Sequence, residues 1–107
     1  MDKDNLVEQL FLSKSKVEDT IEQMVLQNRP GKVIIADAGV VQYTINLSWQ
    51  FKKGKAALEM NISDGNDNLV GPEVKSSVES QKDTLVEDLQ FLYGELVYKI
   101  LDDLQKS

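Results

Sequence analysis

Between Val41 and Phe51 every second residue is apolar: Val41, Tyr43, Ile45, Leu47, Trp49 and Phe51 alternate with Gln42, Thr44, Asn46, Ser48 and Gln50. Successive side chains of an extended chain point to opposite faces, so a beat of two specifies a strand with one buried and one wet side. After Lys52-Lys53-Gly54-Lys55 the beat resumes with Ala56, Leu58, Met60 and Ile62. A turn centred on Lys53-Gly54 sets Phe51 opposite Ala56, Trp49 opposite Leu58, Leu47 opposite Met60 and Ile45 opposite Ile62. A slip of one residue would send an entire apolar set to the wrong side. Upstream, Lys32-Val33-Ile34-Ile35-Ala36 reads as a third strand. Asp37-Ala38-Gly39 suits a three-residue hairpin loop ending in the left-handed conformation that glycine tolerates, with Val33 opposite Tyr43 and Ile35 opposite Val41. A three-stranded meander of this kind needs a cover over its apolar face.

The flanking segments keep a slower period. Leu6, Val7, Leu10, Phe11, Val17, Ile21, Met24 and Val25 recur at spacings of three, four and seven, which predicts a helix from Asp4 to Asn28 ended by Arg29-Pro30-Gly31. Ser15 and Glu18 have the spacing of a capping box, so a break between Ser13 and Lys16 is the competing reading; the unbroken phase of the apolar stripe favours one helix. Residues 64–71 form a turn-rich loop, Pro72 suits a first helical turn, and Ser76 with Glu79 and Ser80 with Asp83 both resemble caps. A start near Ser80 is favoured. From there Leu85, Val86, Leu89, Leu92, Tyr93, Leu96, Val97, Ile100, Leu101 and Leu104 make a stripe wider than one sheet contact requires. The expected fold is α+β: an N-terminal helix, a three-stranded antiparallel β-meander and a C-terminal helix, both helices on one face of the sheet, with residues 1–107 as one α-β-β-β-α domain. The surplus apolar surface of the last helix is expected to serve a homodimer.

Charge and chemistry narrow the function. Twelve Lys and Arg stand against 18 Asp and Glu, a net charge of −6. Generic attachment to a nucleic-acid backbone needs a basic footprint, so that class of partner is disfavoured. With no cysteine and no histidine, thiol chemistry, disulfides and imidazole acid-base catalysis are excluded. There is no glycine-rich phosphate loop, no nucleophile elbow and no convincing carboxylate pair, so neither enzymatic activity nor a cofactor is expected. The acidic opening Met1-Asp2-Lys3-Asp4 is unlike a secretory signal, and no run approaches the ~20 apolar residues of a membrane span. A cytoplasmic protein away from membranes is the expectation.

Five features remain as candidate sites. Asp64, Asn66 and Asn68 have the alternation of a calcium loop, but Leu69 and Lys75 stand where glycine and a bidentate carboxylate belong, so no metal site is expected. Lys52, Lys53 and Lys55 cluster at a hairpin tip, where they either meet an acidic partner or phosphate or simply guard the strand end. Trp49 reads as core rather than as a ligand platform. Leu12, Leu26 and Phe91 lie off their helices' main stripes and favour a helix-mediated contact. Glu87, Asp88, Glu95, Asp102 and Asp103 read as a solvated helix flank, or else as an imitation of a nucleic-acid backbone. Taken together, these features predict a small acidic protein-interaction module, adaptor or chaperone-like, contacting an unidentified protein or a second copy through Phe91, Leu96, Leu101 and Leu104 and through Lys52, Lys53 and Lys55. The alternative is a nucleic-acid-related protein: a mimic that inhibits a basic protein, or a weak binder through the lysine tip.

Overall fold

The beat of two becomes β2 (Val41–Lys52) and β3 (Lys55–Ser63), joined through Lys53 and Gly54 at φ 51° and 74°. Two successive positive φ values give the turn whose twist matches that of the strands it connects. All four expected pairs are found: Phe51 opposite Ala56, Trp49 opposite Leu58, Leu47 opposite Met60 and Ile45 opposite Ile62. The computed structural model describes residues 3–37 and 41–106. Met1 and Asp2, and Ala38 and Gly39 of the expected first hairpin loop, lie outside the described residues, as do Val40 and Ser107.

Strand β1 (Gly31–Asp37) pairs antiparallel with β2, two residues away from the expected register: Val33 faces Ile45 and Ile35 faces Tyr43. Side chains repeat every two residues, so this shift leaves each on the face foreseen for it. The strand count is corrected from three to four. Val74–Glu79 form β4, with Val74 opposite Met60, Ser76 opposite Leu58 and Val78 opposite Ala56, in the sheet order β1-β2-β3-β4. No helix starts between Pro72 and Lys82, because this segment supplies the ladder that the second edge of β3 would otherwise lack. The Ser80 N–H extends that pairing to the Gly54 carbonyl at 2.9 Å.

The single N-terminal helix is also corrected. Helices α1 (Lys3–Leu12) and α2 (Lys14–Gln27) meet at Ser13, whose φ −88° and ψ 3° leave helical geometry. Here the carbonyl of Leu10 accepts a hydrogen bond from the buried Tyr93 hydroxyl at 3.1 Å. The in-phase apolar stripe survives the bend, since Leu6, Leu10, Val17, Ile21 and Met24 are all buried. Helix α2 closes on Asn28 in the left-handed conformation, with the Arg29 N–H bonded to Met24 O at 3.0 Å. Gly31 then lets α2 lie directly on β1: a Cβ there would stand 2.6 Å from Met24 Sδ and 2.9 Å from Thr20 Cγ2.

Helix α3 (Leu85–Lys106) begins where the Ser80 and Thr84 hydroxyls both donate to the Asp88 carboxylate, at 2.5 and 3.0 Å. It lies across β3 and β4 and against α2. Ser76 Oγ donates to Glu95 at 2.9 Å and Lys99 Nζ to the Lys75 carbonyl at 2.7 Å, fixing the helix over β4. Leu89, Leu92, Leu96, Val97 and Ile100 join Val33, Ile45, Leu58, Met60 and Ile62 in one hydrophobic cluster. The wide stripe thus has two partners, as its width requires, and both belong to the same chain. Among the described residues no helix is long and apolar enough to cross a membrane. Apart from the exposed Ile34, the outer face of the sheet is largely polar, with Asn46 Nδ2 donating to Asn61 Oδ1 at 2.9 Å.

Candidate functional site

Strand β2 outruns its neighbour. β1 begins at Gly31, opposite Leu47, so residues 48–52 have no strand beside them on that side among the described residues. The cause is local. Pro30 has no N–H to continue the ladder, and the left-handed Asn28 turns the chain away into α2. The departing backbone is pinned where Trp49 Nε1 donates to the Arg29 carbonyl at 3.1 Å. Between the diverging segments opens a cleft of about 660 Å³. Trp49, Phe51, Val25 and Leu85 give it an apolar lining, of which the first three are half-buried and pack against the core. Arg29, Lys52 and Lys82 are its charged residues, all exposed, and among the described residues that line it there is no carboxylate. A cationic, aromatic-lined hollow in a chain of net charge −6 is a local reversal of the molecule's field.

The residues foreseen as sites fall in different places. Lys52 lines this cleft, whereas Lys53 and Lys55 line a separate polar hollow of about 700 Å³ with Glu79, Glu87 and Asp88. The lysine tip is therefore divided, and two of its three lysines share a hollow with carboxylates. Leu96 is fully buried in the core, and Leu101 and Leu104 are half-buried against it. The expectation that Leu96 contributes to an exposed contact is corrected, because its position in the stripe is consumed by the chain's own packing. Phe91 is 61% exposed and lies beside Gly94 and Tyr98 in a shallow hollow with Lys14 and Glu18. Leu12 and Leu26 are exposed as well. Trp49 packs against the core as foreseen while also lining the cleft.

Other polar groups are committed to structure. Asp64 Oδ1 accepts the N–H groups of Asn66 at 2.8 Å and Asn68 at 3.1 Å, which builds the turn after β3. Of the acidic flank of α3, Asp88 and Glu95 accept hydroxyl protons and Asp102 pairs with Lys106 at 3.0 Å. On the outer face, a hydrogen bond to the Glu73 side chain and that group's like charge push Glu59 above the ordinary carboxylate value, against the pull of Lys75. A hollow of about 720 Å³ on the other side of Pro30 mixes Asp19 and Glu59 with Arg29 and Lys32 and so has no preference of sign.

The cleft is not announced by any one motif, because its walls come from α2, the Asn28–Pro30 link, β2 and the entrance to α3. One signal was available: the expected first strand is shorter than the second by several residues, which already implies an unaccompanied stretch of β2. Compared with protein-family models, with curated proteins and with solved structures, the chain matches none.

Proposed function

We propose that this protein is a non-enzymatic protein-interaction module, adaptor or chaperone-like, and that its partner seats in the cleft beside the overhang of β2. The observation that supports this reading is the coincidence of an unaccompanied strand edge with half-buried Trp49 and Phe51 and exposed Arg29 at one place. Free strand edges are sites of association unless blocked, and aromatic residues with arginine carry most of the energy in typical interfaces. A photo-crosslinking amino acid placed at Gln50, in the cleft, and separately at Ser77, on the outer face of β4, tests it in native cells. Adducts from position 50 and none from 77 support the reading. With a third probe at the exposed Phe91, adducts from position 91 alone would move the working surface to α3.

Self-association is a second reading, favoured by Phe91 and Tyr98 standing exposed on either side of Gly94, where an added Cβ would meet nothing within 4 Å. A helix-interior glycine costs roughly 0.5–1 kcal/mol relative to alanine. Its own chain does not need the space. Light scattering of the wild type and Phe91→Ser decides it: a dimer lost in the variant supports this reading, and a monomer in both removes it.

A further inference from the structure

We infer that the cleft takes an extended acidic peptide segment of a partner protein, added as a short strand to the edge of β2 at residues 48–52 with an apolar side chain seated on Trp49 and Phe51. The inference rests on the reading of the cleft as the partner site and specifies what enters it.

Three observations carry it. Ser48 through Lys52, five consecutive residues whose side chains alternate between faces, all line the cleft, so it runs along the strand edge rather than over one face. What an edge offers is a row of backbone donors and acceptors, and another extended backbone satisfies that row in register. Next, the line to be extended already exists. Continuing the β1 register would place Pro30 opposite Ser48 and Arg29 opposite Trp49, but the chain departs there, and the Arg29 carbonyl is held by the Trp49 indole. An incoming strand takes up the direction that β1 abandons. Finally, Arg29, Lys52 and Lys82 are the charges facing the cleft, so the side chains of the entering segment are anionic. Nucleic acid would satisfy those cations but not the strand edge, and its phosphates would meet the repulsion of a net charge of −6.

Trp49, the single tryptophan, supplies the readout. The probe is an acetylated, amidated heptapeptide alternating glutamate with valine and phenylalanine. Its companions are the same peptide with lysine for glutamate, a copy with alternate backbone nitrogens methylated, and a single-stranded oligonucleotide. The acidic peptide is expected to shift Trp49 emission saturably. Binding should weaken about tenfold or more on backbone methylation, and by a similar factor in the double variant Lys52→Glu, Lys82→Glu, whose melting temperature should match the wild type because both side chains are exposed. Equal binding of the methylated copy would overturn strand addition. A response to the lysine peptide or the oligonucleotide but not to the acidic peptide would overturn the partner's chemistry while leaving the cleft as the site. Silence from every probe overturns the inference, and adducts at position 50 then show whether the underlying reading survives it.

Discussion

Tyr93 and Leu10 are 83 residues apart in sequence and are joined by one buried hydrogen bond, from the phenol of α3 to a main-chain carbonyl of α1 at 3.1 Å. Burial pushes the phenol well above its ordinary pKa and keeps it a neutral donor. The bond lies three residues before the bend at Ser13 and satisfies a carbonyl at the end of α1 that would otherwise be buried without a partner. Tyr93→Phe should therefore destabilise the fold by about 1–2 kcal/mol, the cost of stranding a buried acceptor. Urea denaturation monitored by circular dichroism measures it, and an unchanged midpoint would mean that water or a shifted helix replaces the phenol.

Leu96 and Phe91 lie on the same helix and should behave in opposite ways. Leu96 is fully buried, so Leu96→Ala should cost about 2–5 kcal/mol. Phe91→Ser, at a position 61% exposed, should alter stability by about 0.5 kcal/mol or less. Guanidinium titrations of the two variants check the contrast.

At Gly31 the absent side chain is what brings α2 onto β1. Gly31→Ala inserts a methyl 2.6 Å from Met24 Sδ and 2.9 Å from the stiff, β-branched Thr20, and should cost about 1–3 kcal/mol by overpacking. Met24→Ala in the same background should recover part of the loss, which a double-mutant cycle measures directly.

The Glu59 carboxyl, beside the like charge of Glu73, gives stability a small pH dependence of defined sign. Since the folded-state pKa of Glu59 lies above its unfolded value, the associated stabilisation is complete below the ordinary carboxyl range and is lost as pH rises through the folded value. At neutral pH the two negative charges oppose folding. Glu59→Gln should raise the melting temperature at pH 7 by about 1–2 °C, after allowance for screening at the surface, and leave it unchanged near pH 4. Calorimetry at both values tests the sign; a gain confined to acid would contradict it.

How far residues announce this fold depends on whether their partners are near in sequence. The β2–β3 register is readable because one turn fixes it and the parity of Phe51 and Ala56 admits one solution. β4 is hidden: only Val74 and Val78 mark its inner face, the position between them is Ser76, and that serine faces α3 to bond Glu95. Its serines and acids also imitate caps, so local chemistry favours a helix start until the empty edge of β3 is considered. The bend at Ser13 falls in the window that the Ser15 and Glu18 spacing marks, but Tyr93, which bonds the Leu10 carbonyl just before it, is a partner no local pattern identifies. The cleft is the least legible feature, since Arg29, Lys52 and Lys82 are drawn together by tertiary packing, although Lys52 and Trp49 already stood out individually.

Strand order follows chain order throughout, from β1 to β4. Each pairing can thus close on a loop of its own without waiting for a distant segment, and the sheet carries little of the search cost that slows proteins rich in remote contacts. That cost falls instead on the two ends, where α1 must find α3 across almost the whole chain. The kinetics should accordingly divide, with amides of the central hairpin protected early in refolding and those of α1 protected last.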